Sequence, residues 1–132
     1  MKAIQTTISL CIAVFLAACS PTLPSESDAR SKVEQQIQNY SHGLIRLLSF
    51  EKTNGVRQEG MGMYYIEYTA EIEFLDDCMW TSKPFFWATP GIRERESGGF
   101  NDEQKPGKKG EHRKTTGAVR FTKTEKGWQP DK

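Results

Sequence analysis

Few side chains in this 132-residue sequence could do covalent or metal chemistry, and they are widely spaced. Cysteines stand at Cys11, Cys19 and Cys78, and histidines at His42 and His112. A reactive thiol needs nearby cations or a helix N-terminus to favour the thiolate. Cys78 instead follows Asp76 and Asp77. It reads as a small buried residue beside Met79 and Trp80, and a disulfide to another protein is the alternative. His42 reads as a helix-end residue. His112, among Lys108, Lys109, Arg113 and Lys114, reads as solvated. Glu67, Glu71 and Glu73 share the face of one strand, where carboxylates can bind metal, move protons or pair with cations. The chain has no phosphate-cradling glycine loop, Gly-x-Ser-x-Gly elbow, His-Glu-x-x-His or Cys-x-x-Cys. A triad assembled in space is not decided by spacing, yet neither histidine has a local setting that suggests one. No catalytic residue, cofactor or metal is expected.

The chain begins unlike the rest. Lys2 is the only charge in residues 1–18, and residues 10–18 are an unbroken run of apolar or small residues. That run is about half the length a bilayer-spanning helix needs. A positive start, a short apolar core and small residues before a break mark a secretory signal peptide. The alternative, a buried core helix, is opposed by Pro21 and Pro24 directly after it. Leu16-Ala17-Ala18-Cys19 closely resembles the lipobox of bacterial lipoproteins. The resemblance implies cleavage before Cys19, a lipid on its thiol, and membrane lipid as the partner it anchors in. Ser20, rather than Asp, after the cysteine implies outer-membrane sorting facing the periplasm if the source is diderm.

On that reading the parts are residues 1–18 as signal peptide, 19–25 as lipidated Cys19 and tether, and 26–132 as a single domain. Six tether residues reach roughly 20 Å when extended. Removing Lys2 leaves 17 basic and 17 acidic residues, so global charge argues for no nucleic-acid partner. Only Cys78 then remains as a thiol, so no disulfide can form within the chain and packing must supply stability.

The sequence predicts the elements that position these groups. Ser25 with Asp28 three residues on is an N-cap signature. Val33, Ile37 and Tyr40 form one apolar stripe, and Ser41-His42-Gly43 ends it. A strand over 44–52 should lead to a hairpin turn at Asn54-Gly55. Residues 61–75 alternate, with Tyr64, Ile66, Tyr68, Ala70, Ile72 and Phe74 on one face and the three glutamates on the other. Some of 78–88 should be strand, and 89–110 reads as a long mobile loop. Val119 and Phe121 mark a last strand, after which Gly127 turns the chain and Trp128 packs back. The fold class is α+β: one N-terminal helix on a curved antiparallel sheet of three to five strands. This helix-first layout and the closing 121–128 segment resemble small bacterial lipoproteins with a cystatin-like or NTF2-like domain. The protease-binding Gln-Val-x-Ala-Gly phrase of cystatins is missing, which argues against that activity.

Residues 59–77 hold six acids and no base, and residues 105–123 hold seven bases and one acid. If these strands pair, the charges face one another across the sheet. The basic run Lys105 to Lys114 reads as a mobile solvated face, with lipid headgroups or anionic wall polymers as the alternative contact. Trp80, Phe85, Phe86 and Trp87 crowd eight positions. They read as core, and any left exposed form a partner surface for an envelope protein or wall polymer. The leading expectation is a non-enzymatic binding module whose 92–109 segment can be deleted without loss of the fold. The rival is an NTF2-like enzyme or small-ligand protein with Tyr40, Tyr64 and Tyr68 lining a cavity between helix and sheet.

Overall fold

The computed structural model describes residues 22–83, 85–92 and 104–132. The expected signal peptide, Cys19, the start of the expected tether and the middle of the 89–110 segment therefore lie outside the described residues. The described part is α+β: one helix packed on an antiparallel sheet of several strands. No described helix is long and apolar enough to cross a membrane.

Helix α1 runs Glu26–Tyr40, as the stripe predicts. Ser25 caps it: its hydroxyl accepts from the Asp28 N–H, and the Asp28 carboxylate accepts from the Ser25 N–H at 2.7 Å. That reciprocal pair satisfies two backbone donors that the first turn would otherwise leave without partners. Ala29, Val33 and Ile37 are buried. His42 (φ 53°) and Gly43 (φ 72°) both take left-handed backbone and swing the chain back into the sheet.

Strands β1 (Ile45–Gln58) and β2 (Met63–Phe74) form a long hairpin. β1 spends fourteen residues against the twelve of β2, and register slips after Leu47 and Lys52 absorb the difference. Each slip is a bulge, which bends and twists a strand, and together they curve the sheet over the helix. Beside the second slip, the Lys52 N–H donates to the Glu26 carboxylate at 2.8 Å and ties β1 to the start of α1.

The expected turn at Asn54-Gly55 is not there. β1 runs straight through both residues, and the chain reverses at residues 59–62, where Gly60 and Gly62 supply the positive φ. Gly55 serves another purpose: a Cβ on it would sit 2.0 Å from the Tyr64 hydroxyl. The strand needs glycine there because the Tyr64 side chain crosses it.

β2 buries the face that its alternation marks out: Tyr64, Ile66, Tyr68, Ala70, Ile72 and Phe74 are all in the core. Beyond it come β3 (Cys78–Thr81), β4 (Trp87–Pro90), β5 (Lys105–Gly107), β6 (His112–Thr124) and β7 (Gly127–Pro130). They complete a four-stranded sheet, β1-β2-β6-β7, and a separate three-stranded sheet, β4-β3-β5. The single strand expected over 78–88 is thus two short ones. The expected loop over 89–110 is also narrower, because Thr89 and Pro90 lie in β4 and Lys105–Gly107 form β5. Deleting 92–109 would remove β5, so that segment is not dispensable to the fold. The basic run is not a mobile face either: it is β5, a turn at Lys109-Gly110 and the start of β6.

Candidate functional site

β2 pairs β6 from Met63–Thr122 to Glu73–His112, which brings the acidic and basic stretches together as their charges suggest. The contacts differ in detail from simple lysine–glutamate pairs. Glu71 stands opposite Lys114, but the close contacts to Glu71 and Glu73 come from His112, at 3.4 and 3.7 Å. Arg46 also binds Glu73, at 2.6 Å. These pairs are partly exposed and contribute under about 1 kcal/mol each. His112 is therefore a cross-strand partner of carboxylates, whereas its sequence neighbours are basic. His42 sits at the helix end as expected, and its Nδ1 lies 2.7 Å from the Ala88 carbonyl, which ties β4 to the helix terminus.

The aromatic cluster divides. Trp80 and Phe86 are buried in the core, and the Trp80 ring packs against Phe74 at 5.3 Å between centroids. Trp87 is half-buried. Phe85 is 38% exposed and lies against Tyr40, 4.8 Å away and 44% exposed. The four residues do not form one surface. Tyr64 and Tyr68 are also in the core, and Ala29, Val33 and Ile37 fill the space between helix and sheet beside them.

Cys78 is fully buried. Burial first, then the charges of Asp77 and Asp76, push its thiol up to about 11 from an ordinary value of 9.0. An unfolded chain therefore loses this proton near pH 9 and the folded chain only near pH 11. Stability tied to the neutral thiol is complete below about pH 9 and falls as pH rises through that window. Each pH unit is worth about 1.4 kcal/mol, so the loss approaches 2–3 kcal/mol. Burial also pushes Tyr68 up to about 12, which extends the decline. Urea midpoints at pH 8 and 10.5 should drop steeply for the natural chain and less for Cys78→Ala. Equal drops would show that Cys78 does not carry the effect.

A groove of about 460 Å³ lies where the two sheets meet. Four short stretches build it. β3 contributes Trp80 and Thr81, and Ser82 and Lys83 follow at its end. β5 contributes Lys105, whose backbone pairs with Trp80. β6 contributes Arg113, Lys114, Thr115 and Thr116, and β2 contributes Thr69. β7 pairs β6 only over Phe121–Thr124, so among the described strands residues 113–116 form a free edge. Side chains of both sheet faces reach round that edge into the groove.

Local bonds hold this frame. Ser82 Oγ and Thr115 Oγ1 lie 3.0 Å apart and join β3 to β6. The Thr81 hydroxyl accepts from the Lys83 N–H and donates to the Lys83 carbonyl, both at 3.2 Å, which fixes the backbone beneath the lysine. The Glu111 carboxylate accepts from the Arg113 guanidinium, and that bond, then the Lys108 N–H, holds Glu111 below the usual carboxylate range. The described lining thus carries four cations, five hydroxyls and an indole, with no carboxylate, thiol or imidazole. Trp80 in the groove wall has a buried indole N–H with no hydrogen-bond partner among the described residues. A second groove, where residues 22–24 meet α1 and β7, mixes Asp28 with Lys32 and Lys126. Among the described residues no three His, Cys, Asp or Glu side chains converge as metal ligands would.

Sequence reading found the basic run but not the groove. Lys83 lies far from that run in the chain, and only the pairing of β3 with β5 brings the two together. Comparison with protein-family models, with curated proteins and with solved structures finds no match.

Proposed function

We propose that this chain is a lipid-anchored binding module of the bacterial cell envelope, without catalytic activity, that holds its ligand in the groove between its two sheets. The address rests on Leu16-Ala17-Ala18-Cys19 and the charged, short-cored segment before it. In this reading the lipid enters the outer leaflet of the cytoplasmic membrane or, with Ser20 after the cysteine, is passed to the outer membrane facing the periplasm. The helix followed by a curved antiparallel hairpin supports a cystatin-like or NTF2-like scaffold beneath that address.

The observation that carries the binding role is the composition of the groove lining. Lysine and arginine side chains are cations, and hydroxyls without a neighbouring base are weak nucleophiles. Such groups hold a ligand by charge and hydrogen bonds, and general acid–base work calls for a group that titrates near the working pH.

The test is a photo-crosslinking side chain placed in intact cells at Thr116, on the groove, or at Gln38, on the exposed face of α1. A discrete adduct from Thr116 and none from Gln38 is expected. No adduct from Thr116, or the same adducts from both positions, would contradict a binding role for this groove.

A further inference from the structure

We propose that the groove is a phosphate-binding site, with Lys83, Lys105, Arg113 and Lys114 as its cation set. The inference rests on the binding-module reading above and adds the chemical class of the ligand.

The charge of the groove points to an anion. The whole chain is within one charge of neutrality, at +1, so general basicity does not explain four cations around one groove. Glu71 of β2 stands opposite Lys114, but its close contact, like that of Glu73, is with His112, and Glu73 also binds Arg46. The described lining of this groove holds four cations and no carboxylate. Like charges held together repel, and an anion between them relieves that repulsion.

The backbones beneath the cations are set by structure rather than left on a floppy loop. Lys105 sits in β5 against Trp80, Lys114 in β6 opposite Glu71, and Lys83 on a backbone clamped by Thr81. Arg113 is braced by Glu111 and keeps further N–H donors for a ligand. Because the groove straddles a free strand edge, Arg113 approaches from one sheet face and Lys114 from the other.

The donors of the groove also match a phosphate. Phosphate offers several acceptor oxygens and up to two charges, which suits lysine point charges, a guanidinium fork and neighbouring hydroxyls together. The groove is large enough for a small-molecule ligand bearing a phosphate, and at about 460 Å³ it exceeds the needs of a lone ion. A free phosphorylated molecule and a phospholipid headgroup present the same oxygens, and a domain tethered close to a membrane would meet both.

Calorimetry of the full chain with pyrophosphate, and sedimentation with phosphatidylglycerol or phosphatidylcholine vesicles, tests this. Saturable binding to pyrophosphate or to phosphatidylglycerol is expected, weakening as salt rises. Lys83→Gln/Lys114→Gln should weaken it by about tenfold or more, with an unchanged urea midpoint. Lys123→Gln/Lys126→Gln removes the same charge outside the groove and should change it less than about twofold. Groove-dependent binding to pyrophosphate alone assigns a free phosphorylated ligand, and groove-dependent binding to phosphatidylglycerol assigns a headgroup. Binding to neither, or equal weakening by both double variants, overturns the phosphate assignment. If the Thr116 adduct persists while phosphate fails to bind, only the ligand class is wrong. If that adduct is also absent, the binding-module reading fails with it.

Discussion

Phe74→Ala should cost about 3–5 kcal/mol, the range for deleting a fully buried aromatic ring. Phe74 is 0% exposed and stands at the end of β2, where the two sheets meet. Its ring packs on Trp80 of β3, and its ring carbons lie 2.7 Å from where a Cβ on Gly107 of β5 would be. Its backbone bonds to the turn before β6, donating to the Glu111 carbonyl at 3.0 Å and accepting from the Gly110 N–H at 2.8 Å. One ring therefore fastens β3 and β5 to the main sheet. Without a disulfide among the described residues, nothing covalent offsets the cavity. Domains of this size have only about 5–15 kcal/mol in total, so the variant should unfold at much lower urea or not fold at all. Phe85→Ala, at an exposed ring, should cost under about 1 kcal/mol. Urea unfolding of both variants checks this, and a Phe74→Ala cost no larger than that of Phe85→Ala would show that the sheet junction does not depend on the ring.

Much of the larger architecture was legible because the responsible signals are local. The Ser25–Asp28 capping box and the Val33–Ile37 spacing specify α1 without reference to anything distant. Strict alternation over 61–75 specifies β2, since period two puts every apolar side chain on one face. Asn54-Gly55 misled because glycine carries two meanings. It permits the positive φ of a turn, and it also gives room where a side chain crosses a strand. Only the position of Tyr64 distinguishes them. β4 and β5 were hidden for a different reason. They are four and three residues long and contain Pro90 and Pro106. Proline is tolerated on edge strands, and β4 and β5 are the two edges of their sheet, yet in a sequence the same residues read as loop.

The aromatic cluster was half legible. Trp80 and Phe86 are core, as four large aromatics in eight residues suggest, but the turn between β3 and β4 leaves Phe85 outside. The groove was the least legible feature. Its cations come from three separate stretches, and the pairing that gathers them is non-local. The excess of bases over 105–123 was the one visible trace, and it read first as strand pairing.

If this domain works at a membrane face, tethered through Cys19 as proposed, replacing that one atom of sulfur should have the greatest effect on where the protein is found. Cys19→Ala removes the thiol that a lipobox enzyme would alkylate with diacylglycerol, and with it the cleavage that depends on that lipid. A single acyl chain gives only marginal membrane attachment, and two or more give stable anchoring. No described helix offers a second means of crossing the bilayer. The variant should therefore lose all acyl label. It should either leave the membrane fraction for the soluble one or persist as an unprocessed precursor heavier by residues 1–18. The most direct measurement is intact mass spectrometry with radiolabelled palmitate on the natural chain and Cys19→Ala. The natural chain should begin at Cys19, carry acyl label and sediment with membranes, and the variant should carry no acyl label and show no cleavage before residue 19. An unlabelled natural chain, or equal labelling and the same start at residue 19 in the two, would contradict the proposed tether.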